Sequence, residues 1–129
     1  MKRVTGIGGI FFKSRNAESL YRWYEKHLGI TRTPDNGVAF EWRELKGAKR
    51  KGITAWSIFP QETRYFDPSQ SPFMINYRVD DLDALLTVLQ EEGVAIDPRR
   101  ENHDYGRFAW IMDPEGNRIE LWEPPKSSK

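Results

Sequence analysis

Apolar positions recur along this chain in two rhythms, and each change of rhythm marks an element. Ile7 to Lys13 is apolar and punctuated by glycine, which predicts a buried strand. Asn16 offers a side-chain acceptor to the first free N–H groups of a helix. From Ala17 to Leu28 the apolar positions step by three and four, with Leu20, Trp23, Tyr24 and His27 or Leu28 on one face. Gly29 ends that helix in the left-handed conformation. Val38 to Trp42 and Ile53 to Phe59 are rich in β-branched and aromatic residues and predict strands. A short strand is expected at Ile30 to Thr33, before a turn at Pro34 to Gly37. Pro60 to Pro72 holds three prolines among polar residues and is expected to link two halves.

The pattern then restarts. Phe73 to Val79 predicts a strand, and Asp80 a helix cap, with Asp83 completing a capping-box-like pair. Leu82, Leu85, Leu86 and Leu89 form the apolar face of a helix stopped by Gly93. Val94 to Ile96, Tyr105 to Met112 and Arg118 to Glu123 predict strands, the last two joined by a turn at Asp113 to Asn117. The tail from Pro124 to Lys129 is expected to fray. Helices are thus expected at about 16–28 and 81–92. The two cap-to-stop segments have the same length and are displaced by 64 residues, and the same displacement carries Gly52 onto Gly116. Strand, helix and about three strands therefore occur twice, which predicts two βαβββ modules in one domain spanning 1–129. Module 1 is expected at about 1–60, the linker at about 61–71 and module 2 at about 72–124.

Composition narrows the chemistry. Lys and Arg total 20 against 19 Asp and Glu, a net charge of +1, without the basic excess of a nucleic-acid binder. The one basic cluster, Lys46 to Lys51, reads as an exposed loop. There is no cysteine, which excludes disulfides, thiolate chemistry and zinc sites with sulfur ligands. No apolar run reaches the roughly 18 residues that would span a bilayer. The N-terminus shows no signal-peptide pattern, so the expectation is a cytoplasmic protein. Five Trp, five Tyr and seven Phe leave aromatic side chains for a pocket as well as a core. Gly6-Ile7-Gly8-Gly9 lacks the Lys and the helix start of a phosphate loop and instead permits close approach to a strand.

Several stretches carry a family resemblance. Ile10-Phe11-Phe12-Lys13-Ser14, then Ala17 to Tyr24, then His27-Leu28-Gly29 resembles the first strand and helix of the glyoxalase/bleomycin resistance/dioxygenase group, the vicinal oxygen chelate superfamily. Tyr77 to Asp83 resembles the start of its second module. Asp113-Pro114-Glu115-Gly116-Asn117, followed by Glu120, is similar to its closing turn and metal-binding glutamate. The resemblance implies an α+β fold: two βαβββ modules forming a curved, half-open mixed β-sheet barrel, helices outside, usually as a homodimer. It also implies a cavity in which many members hold a divalent metal on His, Gln and Glu, one ligand per strand.

Carried onto this chain, those ligand positions fall on Gly9, Trp56, Met74 and Glu120. Only Glu120 keeps ligand chemistry, so no cofactor is expected; the alternative is a divalent ion such as Zn, Ni, Fe or Mn. Alternation places Arg118 and Trp122 on the inner face with Glu120, and Met74, Asn76 and Arg78 on the inner face of their own strand. Glu120 reads either as a base, acceptor or ligand, or as a carboxylate paired with Arg78, Arg107 or Arg118. Arg78 reads either as a clamp for an anionic ligand or as a buried partner. Trp42, Trp56, Trp110 and Trp122 either stack a flat ligand or pack a core. His27 is expected at the end of its helix. Glu101 and His103 would share a face of an extended segment and, with Glu120, could build an unconventional metal site; otherwise they belong to a surface loop.

The expected function is therefore metal-independent binding of a small organic molecule in an aromatic-lined cavity. Its substrate-binding residues would be Trp56, Met74, Asn76, Arg78, Arg107 and Trp122, with Glu120 as the candidate catalytic group. The arginines favour an anionic or neutral ligand. The competing readings are a metal-dependent lyase, isomerase or dioxygenase of the glyoxalase type, and a partner-binding dimer.

Overall fold

The computed structural model describes residues 3–33, 37–44 and 47–126. In chain order the elements are β1 (Val4–Ser14), α1 (Ala17–Leu28), β2 (Val38–Glu44), β3 (Gly47–Pro60), β4 (Phe73–Val79), α2 (Leu82–Glu91), β5 (Ile96–His103), β6 (Gly106–Met112) and β7 (Arg118–Glu123). One mixed sheet runs β2-β3-β1-β4-β7-β6-β5. Within each half the first strand lies parallel to the last, β1 to β3 and β4 to β7. The halves meet edge to edge through the antiparallel pair β1 and β4, so they share a sheet within a single chain. The sheet is open, and the helices pack on one face of it, in the expected α+β arrangement.

Both helices form where the spacing predicts, with local differences. Asn16 Oδ1 accepts from the Ser19 N–H at 3.1 Å, and Gly29 turns the chain with φ 71°. The second cap is Asp81, not Asp80: its carboxylate accepts from the Ala84 N–H. Asp83 completes no capping box, because Arg100 and Arg107 hold its carboxylate at 2.9 and 2.8 Å. Residues Ile30 to Thr33 form no strand. The Ile30 N–H bonds back to the Tyr24 carbonyl as the helix exit, and the Thr33 N–H bonds to Gly37. The first half thus has two described strands after its helix, the second three. Val94 likewise closes the exit of α2 by bonding to Leu89, so β5 starts at Ile96 and runs on to His103. Gly47 to Lys51, expected as loop, belongs to β3 and pairs with β2. Residues 34–36 of the expected turn, Lys46, and the tail from residue 127 lie outside the described residues.

Two apolar layers join helices to sheet. Under α2, Leu82, Leu85, Leu86 and Leu89 pack on Val79, Ala109 and Leu121. Under α1, the contact face is Ala17, Leu20, Tyr21 and Tyr24 against Val38, Trp56 and Ile58. That face is rotated from the expected one: Trp23 and Leu28 are 51% and 61% exposed. Tyr21 anchors the rotation, since its hydroxyl accepts the Ile58 N–H at 2.8 Å. Among the described residues no helix is long and apolar enough to cross a membrane.

Candidate functional site

The concave face of the sheet is plugged at both ends. At one end the Trp42 ring lies on bare backbone; a Cβ on Gly6 or Gly52 would fall 2.2 or 2.3 Å from it. Arg78 stacks on the same ring at 5.1 Å, and its guanidinium binds Glu44 at 2.8 Å and the Lys51 carbonyl at 3.1 Å. At the other end the linker folds inward. Phe66 packs with Met74 and Trp110, and all three are buried. Between the plugs lies a cavity of about 600 Å³.

Sheet register explains the deep wall of this cavity. Asn76, Glu120 and Trp110 are paired neighbours on three adjacent strands, so their side chains stand side by side. Glu120 Oε1 accepts from Asn76 Nδ2 at 2.6 Å, and Oε2 accepts from Trp110 Nε1 at 3.0 Å. The Tyr65 hydroxyl, brought in by the linker, also donates to Oε2. Burial pushes the Glu120 carboxyl above the usual range, and the bonds from Tyr65, Asn76 and Trp110 oppose that shift. Burial first, and then the Glu120 charge, pushes the Tyr65 phenol up. Asn76 Oδ1 is buried without a partner among the described residues. A Cβ on Gly8 would lie 2.3 Å from that oxygen and 2.8 Å from the Trp122 ring, so the wall closes only over glycine.

The mouth is built from β5 and β6. Trp122 lines it, with its indole N–H donating to the Tyr105 carbonyl at 2.8 Å and its ring stacked on Phe108 at 6.3 Å. Glu101 and His103 line it too, 2.9 Å apart.

The expected site residues divide between this cavity and other places. Asn76, Glu120 and Trp122 line it. Met74 shares their face but lies under Phe66 and Trp110. Trp56 is on the opposite face, under Phe12, Tyr21 and Tyr24 of the α1 layer, and its neighbours Ala55 and Ser57 face the cavity instead. Arg107 points to α2, where Asp83 binds it. Arg78 is neutralised by Glu44 rather than Glu120. Arg118 pairs with Asp97 at 2.8 Å, and His27 rests on Trp23. Sequence reasoning passed over Phe11, Phe59, Tyr65 and Phe108, all of which line the cavity. Alternation alone could have found Phe108, since Ala109 and Ile111 face α2. Tyr65 sits in the linker, where no periodicity speaks for it.

The residues do not fit the divalent site that the fold implies. At the cavity the four strands offer Gly8, Ser57, Asn76 and Glu120. Among the described residues no three His, Asp or Glu side chains come together as a metal-binding group, Glu101, His103 and Glu120 included. Both Glu120 oxygens accept from protein donors, and the Asn76 amide and Trp110 indole nitrogens that donate to them have no lone pair free to bind a metal.

A sheet of two related halves, cupped around a cavity with helices behind, defines a class of paired-module α+β proteins. The chain belongs to the Glyoxalase/Bleomycin resistance protein/Dioxygenase superfamily, whose model matches residues 7–121. No curated protein matches the sequence. Among solved structures, methylmalonyl-CoA epimerase from Mycobacterium tuberculosis is similar at 19% identity and a TM-score of 0.65, covering 98% of this chain and 93% of that one. A superfamily member from Vibrio splendidus 12B01 is similar at 15% identity and a TM-score of 0.57, covering 91% of this chain and 97% of that one. The 2,3-dioxygenase LapB from Pseudomonas sp. KL28 is similar at 21% identity and 0.61, covering 96% of this chain and 42% of that one. Identities this low show a shared fold and nothing of the chemistry.

Proposed function

We propose that the cavity binds a small, flat organic molecule without the help of a divalent ion, and that the protein works as a homodimer. The observation that carries this reading is Glu120: its carboxylate is engaged by three protein donors. Around it, Phe11, Phe59, Tyr65, Phe108 and Trp122 supply ring area of the kind that buries most of a small ligand. The expectation of an anionic ligand loses its basis, because Arg78 and Arg107 are bound elsewhere. Apart from the phenols of Tyr65 and Tyr105, the ionisable lining is Glu101, His103 and Glu120, which favours a ligand that enters without negative charge.

Titration with quinoline, a flat probe that is uncharged at pH 7, should quench Trp fluorescence saturably. Trp122→Ala should weaken its binding roughly tenfold, the worth of about one good aromatic stack. Dialysis against nickel or zinc should leave well under one metal equivalent per chain. A full equivalent that disappears in Glu120→Ala would overturn the reading and favour a metal-dependent lyase, isomerase or dioxygenase.

A further inference from the structure

We infer that the Glu101–His103 pair at the cavity mouth accepts a proton from an acidic O–H group of the bound molecule, so that phenol-like or enol-like compounds are the favoured ligands. This rests on the binding reading above and adds a site to it.

The two residues stand two apart on β5 and line the same cavity. His103 Nε2 and Glu101 Oε1 are 2.9 Å apart. His103 first, and then Arg99, hold the Glu101 carboxyl below its usual range. An ionised carboxylate only accepts, so Nε2 is the nitrogen that carries a proton toward Glu101, and Nδ1 is the ring atom left to accept one. Among the described residues the His103 ring makes no other hydrogen bond. The ring is also held in place: it stacks on Tyr105 at 4.8 Å with 6° between the planes and meets the Phe108 ring edge-on at 5.9 Å. Its side chain remains 38% exposed and within a ligand's reach.

Glu120 does not compete for this role. It lines the same cavity, but both its oxygens accept from protein donors, and the Tyr65 hydroxyl is committed to it. The other charged group against the pair is Arg99, bound to Glu101. The proton step balances simply. The ligand O–H bond breaks, its electron pair stays on oxygen, and the proton forms a new bond to Nδ1. Glu101 then faces an imidazolium, whose charge it stabilises as an orienting carboxylate.

The test uses 4-nitrophenol, whose phenolate absorbs separately from the phenol. Calorimetry gives the saturating concentration for each variant, and absorbance across a pH series gives the ionisation midpoint of the bound probe. In wild type that midpoint should lie about one pH unit below the midpoint in His103→Gln, a tenfold difference in the ionised fraction. Glu101→Gln, which keeps the imidazole but removes its orienting charge, should fall between them. Equal midpoints in wild type and His103→Gln overturn the inference. So does a cavity that binds quinoline but not 4-nitrophenol. A cavity that binds neither probe overturns the binding reading as well.

Discussion

Asn76 on β4 donates its amide N–H to Glu120 on β7 across 2.6 Å, and the two are register partners on adjacent parallel strands. Parallel pairing places their side chains next to each other on the concave face without any turn to bring them there. Trp110, the partner of Glu120 on the other side, closes the row. The deep wall is therefore a property of sheet register, held by three strands at once.

Glu120→Gln should retain the fold, and its Tm relative to wild type should become more favourable as pH rises from about 4 to 8. The Glu120 pKa is raised in the folded protein, so wild-type stability declines as pH climbs from the unfolded carboxyl range through the folded value. Asp97 runs the other way. Its pKa is lowered by the Arg118 bond, so its contribution is present above the ordinary aspartate range and is lost as pH falls through the depressed folded value. Asp97 is common to both proteins, so the difference between their melting curves isolates Glu120. A difference that stays flat across the series would mean that Glu120 titrates as an ordinary carboxylate.

Gly8→Ala should destabilise the protein by about 1–3 kcal/mol, the usual cost of forcing extra atoms into a packed site. The new methyl would lie within 2.3 Å of Asn76 Oδ1 and 2.8 Å of Trp122. Urea denaturation measures the loss, and quinoline binding should weaken with it as Asn76 and Trp122 are pushed aside. Wild-type stability in this variant would show that the wall yields freely.

Arg78→Ala should cost about 3–5 kcal/mol, because it leaves the Glu44 carboxylate buried without its guanidinium partner. Arg78→Met, which keeps the stem over Trp42, should cost less. Quinoline binding should be unchanged in whatever fraction remains folded, since Arg78 lies behind Trp42 and outside the cavity. Weakened binding at unchanged stability would instead place Arg78 in ligand recognition.

Sedimentation at micromolar concentration should show a dimer. Val4, Ile7, Ile10 and Phe73 are each about two-fifths exposed, and β1 and β4 pair them into an apolar strip on the helix side of the sheet. Exposed apolar ground of this kind is usually covered by a partner. A monomer at that concentration would count against the homodimer.

Periodicity and caps were enough to place both helices, the closing turn and the doubling of the chain, because these depend on local backbone chemistry. Asn16, Gly29 and Gly93 act on groups within a few residues of themselves. Alternation also sorted β4 and β7 correctly, with Asn76, Glu120 and Trp122 facing inward and Val79 and Leu121 outward. What it could not supply was phase where the strand is irregular. β1 shifts register between Val4 and Gly6 and again between Ile7 and Gly9. Counting back from the first helix leads to Gly9, and the 64-residue displacement of Glu120 leads to Trp56, and each misses by one residue: Gly8, Ala55 and Ser57 face the cavity. A slip of one residue exchanges the faces of a strand, and that sent Trp56 into the α1 core. Long-range partners were equally beyond local pattern. The pairing of Arg78 with Glu44, Arg107 with Asp83, and Tyr65 with Glu120 joins residues separated by 34, 24 and 55 positions. Charge alone allows each arginine several carboxylates, and only the folded sheet brings one of them within hydrogen-bonding distance.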